Sequence, residues 1–188
     1  FALVRYNVNG SLDTTFNSDG KVTTDFGNFE YGYSIAIQGD GKILLAGNVD
    51  LGLVVDFALA RYNIDGSLDT TFDLDGKVNT DFSSVTDVGY SVAIQSDGKI
   101  VATGASYNGS VYVIALARYN SNGSLDNTFD SDGKLNTAIG SSDDRGQSVA
   151  IQGDGKILVA GESLSGADYD FAMVRYNPDG SLDNTFDF

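Results

Sequence analysis

Laid against itself, the chain of 188 residues repeats every 56 or 57 residues, and that period limits the folds open to it more than any other feature. Phe1-Ala-Leu-Val-Arg-Tyr-Asn7 returns as Phe57–Asn63, Ile114–Asn120 and Phe171–Asn177, with its arginine at Arg5, Arg61, Arg118 and Arg175. Gly-Ser-Leu-Asp follows each time, at 10–13, 66–69, 123–126 and 180–183. Asp-Gly-Lys comes next at 19–21, 75–77 and 132–134. Two further blocks complete the unit: Ser34–Gln38, matched at 91–95 and 148–152, and Asp-Gly-Lys-Ile at 40–43, 97–100 and 154–157. Ten of the eleven basic residues fall at repeated positions, and Arg145 is the exception.

Each period reads as four short strands. Tyr33–Gln38 alternates apolar with small or polar residues, the two-residue period of a strand. Asp40-Gly41 supplies the positive φ that a tight hairpin needs and leads into Lys42–Gly47. A variable stretch precedes a third strand, Phe57–Asn63, and the turn at Asp65-Gly66 leads on to a fourth, Lys77–Phe82. Polar residues in the fourth strand suit an exposed sheet edge. Of 26 carboxylates only Glu30 and Glu162 are glutamate, and aspartate favours turns over helix. In the third strand Phe57 and Leu59 share one face and Ala58 and Ala60 the other, so both faces are apolar or small. A sheet covered on both sides fits stacked blades, and the expected fold is an all-β propeller of four-stranded antiparallel blades. A β-solenoid-like array is the alternative, although its coils need fewer residues. The chain is read as one repeat domain, 1–188, with repeats at 1–56, 57–113, 114–170 and a partial one at 171–188.

The combination of Phe-Ala-Leu-Ala-Arg-Tyr-Asn, Gly-Ser-Leu-Asp, Phe-Asp-x-Asp-Gly-Lys and Ser-Val-Ala-Ile-Gln-x-Asp-Gly-Lys-Ile resembles the delta-60 repeat of bacterial secreted and surface proteins. The resemblance covers essentially the whole chain. It implies a propeller-type repeat found in tandem arrays and a secreted or cell-surface location, and it brings no established activity or site residues. No charged segment followed by an apolar core opens the chain, which begins in mid-motif at Phe1. The expectation is a mature or excised piece of a longer protein.

The net charge of −15 opposes binding to nucleic acid, and the apolar runs are too short for membrane insertion. Histidine and cysteine are absent, which removes the commonest general base, the thiol nucleophile and the usual transition-metal ligands. A catalytic site also needs one unique constellation, whereas most polar residues here recur. The expectation is a non-catalytic module for adhesion, scaffolding or ligand binding. The rival is a propeller enzyme acting on a sugar or sugar lactone, with calcium as its possible ion. No other cofactor is expected.

Calcium takes several oxygen ligands from a flexible loop, and two groups come nearest to that pattern: Asp69, Asp73 and Asp75, and Asp126, Asp130 and Asp132. Neither has an EF-hand run, and the competing expectation is Asx turns that satisfy their own backbone. Arg5, Arg61, Arg118 and Arg175 lie on the apolar third strand, so each needs a buried partner, and the repeated aspartate such as Asp69 is the natural one. Asn9, Asn108 and Asn122 each open an Asn-Gly-Ser acceptor pattern that is equally a hairpin turn. Ligand binding is expected where the repeats differ, in 48–56, 105–113 and 162–170, with Tyr107, Tyr112, Tyr169, Glu162, Asp168 and Asp170 as candidates. The shorter variable connections hold Glu30, Tyr31, Asp143, Asp144 and Arg145. A protein or glycan is the expected ligand. Three periods are few for a ring, so either a homodimer closing about six blades or a longer array is expected.

Overall fold

The computed structural model describes residues 1–82 and 84–186, and the regular structure among them is all β. In chain order the strands are β1 (Ala2–Val4), β2 (Lys21–Thr23), β3 (Phe29–Ile37), β4 (Ile43–Asp50), β5 (Val55–Tyr62), β6 (Lys77–Thr80) and β7 (Asp87–Ile94). They continue as β8 (Ile100–Tyr107), β9 (Tyr112–Tyr119), β10 (Lys134–Thr137), β11 (Asp144–Ile151), β12 (Ile157–Ser165) and β13 (Asp168–Tyr176). Two complete antiparallel meanders, β3-β4-β5-β6 and β7-β8-β9-β10, are the four-stranded blades. The β1-β2 pair is the outer half of a preceding blade, and β11-β12-β13 are the first three strands of a following one. The fold is a β-propeller built on the repeat.

The blades stack because each third strand is apolar on both faces. Phe57 and Leu59 of β5 pack with Val78, Phe82, Val92, Ala102 and Tyr119 against the second blade. Ala58 and Ala60, on the reverse face, pack with Phe1, Leu45, Val49 and Tyr62. The same layer recurs one period on, where Ile114, Leu116 and Leu135 meet Val149, Val159 and Tyr176. Each fully buried Leu or Phe of these layers contributes roughly 1.5–3 kcal/mol. Between the layers the buried tyrosines are tied to the neighbouring blade, Tyr62 Oη donating to Thr24 Oγ1 at 2.7 Å and Tyr119 Oη lying 2.7 Å from Thr80 Oγ1. The first strands are tied as well: the backbone N–H of Val92 donates to Ser34 Oγ, and that of Val149 to Ser91 Oγ.

Strand limits differ from the sequence reading: the second strand runs on to Asp50 and the third starts at Val55, so the connection between them shrinks to residues 51–54, and the first and fourth strands differ as well. The first strand begins at Phe29 rather than Tyr33, because a bulge between Gly32 and Ser34 lets pairing with β4 run on to Phe29 opposite Asp50. The fourth strand stops at Thr80. Beyond it Phe82 turns inward onto Phe57, with ring centroids 4.8 Å apart, and its N–H donates to Asp87 Oδ2.

Both ends of the stack carry uncovered apolar surface. Phe171 is 106% exposed, while its repeat mates Phe57 and Ile114 are each 1% exposed. Met173 lies beside it on β13, and Ile35 and Ile37 are exposed on β3 at the other end.

Candidate functional site

In an antiparallel meander the first-to-second and third-to-fourth connections fall at one end of the blade, and the remaining connections at the other. The first kind here are the repeated Asp-Gly turns, and the second kind are the stretches that vary. The propeller therefore has a repeated end and a variable end. Contacts between connections follow this division. At the repeated end the N–H of Asp73 donates to Asn122 O and that of Asp130 to Asp179 O. At the variable end the N–H of Tyr107 donates to Thr86 O and that of Leu164 to Asp143 O.

The repeated end is a set of charge clamps. Arg61 Nε donates to Asp69 Oδ2 at 2.7 Å, its Nη1 reaches Ser121 O in the next repeat, and its guanidinium lies 4.5 Å from the Phe72 ring centroid. Lys42 Nζ shares Asp69 Oδ2 at 2.8 Å. Arg118 repeats the pattern with Asp126, Pro178 O and Phe129, and Lys99 is its second cation. Arg5 with Asp13 and Arg175 with Asp183 are less enclosed versions. Burial pushes the Asp69 carboxyl up, but hydrogen bonds from Lys42 and Thr71 and the Arg61 charge outweigh it and hold it well below the usual carboxylate range. Asp69 and Asp126 are thus engaged by cations of the protein itself. Asp73 and Asp130 occupy positive-φ turn positions, and Asp75 and Asp132 each accept a backbone hydrogen bond from the lysine two residues on. These six carboxylates do not converge on a common point. Asn9, Asn108 and Asn122 likewise accept the N–H of the serine two residues later, as Asx turns do.

The variable end gathers most of the candidate ligand-binding residues around Arg145. Its Nη1 donates to Tyr169 Oη at 2.9 Å and to Glu162 Oε1 at 3.1 Å, and its Nη2 to Asp143 Oδ2 at 3.1 Å. The guanidinium also lies 5.1 Å from the Tyr112 ring and 5.3 Å from the Tyr169 ring. Tyr112 stacks in turn on Tyr107, 5.3 Å between centroids, and Tyr33 meets Tyr90 edge-on at 5.8 Å. Burial pushes the Tyr90 hydroxyl up, against the opposing charge of Arg145. Asp168 and Asp170 are exposed on β13 outside this network. Asp170 instead lines a groove of about 560 Å³ with Tyr169, Phe171 and Met173. That groove lies on the face where the next blade would stack, so we read it as a packing surface rather than a ligand pocket.

A family described as "Domain of unknown function (DUF5122) beta-propeller" matches the chain at residues 1–16, 38–72, 95–129 and 152–186. The chain belongs to the DUF5122 β-propeller family. Among solved structures it is similar to a protein of unknown function from Bacteroides caccae, known from a crystal structure at 1.35 Å. The TM-score is 0.43 and the identity 10%, over 86% of this chain and 68% of that one. No curated protein matches the sequence.

The DUF5122 propeller also holds two groups that reasoning from sequence did not assemble. One is the Arg145 network, whose only sequence signal was a base outside the repeat. The other is acidic: one carboxylate oxygen each of Asp56, Asp81 and Asp87 lies within 4.8 Å of the others, at the variable end between the two complete blades. Asp81 and Asp87 fall between the segments that define the family match.

Proposed function

We propose that the chain is a non-catalytic propeller module of the delta-60 type, carried outside the cell, which binds a glycan at its variable end. The segregation of the molecule into two ends supports this reading. The repeated clamp residues pair with one another and with the neighbouring repeat, while Tyr107, Tyr112, Tyr169 and Glu162 gather around Arg145, the one base outside the repeat. Tyrosine faces give a sugar ring apolar contact at small entropic cost, and the Arg145–Glu162–Asp143 set offers donors and acceptors for hydroxyls. A second copy of the chain is part of the proposal, stacking its β3 face on the open β13 face and closing a ring of about six blades.

Replacing Tyr107, Tyr112 and Tyr169 together by alanine tests the binding site. Wild type and variant are screened on a glycan array and against isolated surface proteins. The expected result is a glycan held by the wild type and lost by the variant. A ligand held equally by both puts the site elsewhere, and a protein bound in place of every glycan refutes the choice of ligand.

A further inference from the structure

We propose that Asp56, Asp81 and Asp87 bind one hard divalent cation, calcium first, at the junction of the two complete blades. Calcium–oxygen distances of about 2.3–2.6 Å put opposite ligands of one ion about 5 Å apart. Three carboxylate oxygens within 4.8 Å of one another therefore fit inside a single coordination sphere. Carboxylates alone, without nitrogen or sulfur, favour calcium, magnesium or manganese over zinc or copper.

Asp56 makes this more than a patch of acidity. It is 7% exposed, and its Oδ1 is shut from solvent with no hydrogen-bond partner among the described residues. A buried carboxylate left this way lacks the pairing that buried charges ordinarily have. Asp87 is fully buried and is positioned by the N–H of Phe82 on Oδ2 and by Ser84 Oγ on Oδ1, and each oxygen keeps a lone pair for an ion. Ser106, opposite Asp87 in the β7–β8 register, adds a second buried oxygen without a partner. The neighbouring base, Lys134, directs its Nζ to the main-chain oxygen of Asp81 at 2.9 Å. Burial, and then the charges of Asp81 and Asp87, push the Asp56 carboxyl up, the direction a cation would reverse.

Among the described residues the three-carboxylate cluster occurs once. One period on, the same three positions are Val113, Ala138 and Asp144, so the following junction keeps one acid of the three. An ion here would join the start of β5 to the β6–β7 connection and fix the loops of the variable end without touching the repeated clamps.

Calorimetric titration of EDTA-treated protein with calcium chloride, alongside thermal melts, tests the site. One ion per chain is expected, with a Kd in the range of about 10⁻⁶–10⁻⁴ M and a raised Tm. Asp56→Asn should weaken binding at least about tenfold. Its metal-free Tm should be no lower than the wild type's, since the buried Asp56 Oδ1 has no hydrogen bond to lose and one repulsive charge is removed. Asp81→Asn, at an exposed position, is the second variant and should weaken binding similarly. Asp154→Asn, at the repeated end, should leave it unchanged. Absence of a calcium-dependent shift in the wild type, or equal binding by the wild type and both site variants, overturns the proposal. Tighter binding of zinc than of calcium also overturns it.

Discussion

Arg118, like Arg61, carries more of the fold than the outer clamps of the repeat, because these two ion pairs are the most enclosed. Its side chain is 5% exposed and that of Asp126 is also 5%, whereas Arg5 is 28% exposed. Removing one partner of a buried pair costs about 3–5 kcal/mol, and Lys99 remains to offset part of it. Arg118→Ala is therefore expected to lower stability by about 3 kcal/mol in urea unfolding, and Arg5→Ala by about 1 kcal/mol. Equal losses would show that burial does not set the strength of the clamp. Acid should act on the same pairs. The folded carboxyls of Asp69 and Asp126 are depressed below their ordinary value of 3.8. Their stabilisation is present above that value and is lost as pH falls through it toward the folded one. Urea melts should show the loss beginning below about pH 4, with a smaller slope in Asp126→Asn. The Arg–Asp pairs were legible in the sequence because an arginine on an apolar strand needs a counter-charge and the same aspartate recurs eight residues on. The Arg145 network was not, since Arg145 is the one base outside the repeat, and the 57-residue spacing of Tyr112 and Tyr169 does not reveal that two blades bring them to one guanidinium.

At the scale of the strand, the close fit between blades depends on glycines opposite the bulge. A Cβ on Gly104 would lie 1.8 Å from Val88 O and 2.8 Å from the Phe57 ring, so neither the bulged strand nor the buried phenylalanine leaves room. Gly104→Ala is expected to cost about 3 kcal/mol or more, through the backbone shift that overpacking forces. Gly153→Ala, where a Cβ meets nothing within 4 Å, is expected to be neutral or to stabilise by about 0.5 kcal/mol. Chemical denaturation of both variants checks the contrast, and a harmless Gly104→Ala would mean that the bulge is not held by this contact. Alternation and Asx-Gly turns made the four strands legible, and with them the division into a repeated and a variable end. The bulge was not, because one glycine in a strand looks the same whether it pairs or bulges. The Asp56–Asp81–Asp87 cluster stayed hidden for a related reason. Its members start one strand, follow another and start a third, and the 21 other aspartates, many of them at turns, obscure them.

At the scale of the whole molecule, the repeat itself specifies what should cover the open ends. Phe171 and Met173 occupy the positions that Phe57 and Leu59 fill in the first complete blade, where both are 1% exposed against the second blade. The surface that receives such residues is the first-strand face typified by Val92 and Val149, and its uncovered version here is Ile35 with Ile37. The two faces are therefore complementary and lie at opposite ends of the stack. In the proposed dimer, two copies related by a two-fold axis would set each open face against its complement, the closed symmetry that homo-oligomers favour. The wild type is expected to sediment as a dimer at micromolar concentration. Phe171→Asp buries a charge in that contact and is expected to sediment as a monomer with an unchanged far-ultraviolet spectrum, because Phe171 makes no internal packing to lose. A wild type that stays monomeric at every concentration tested would refute closure by a second copy.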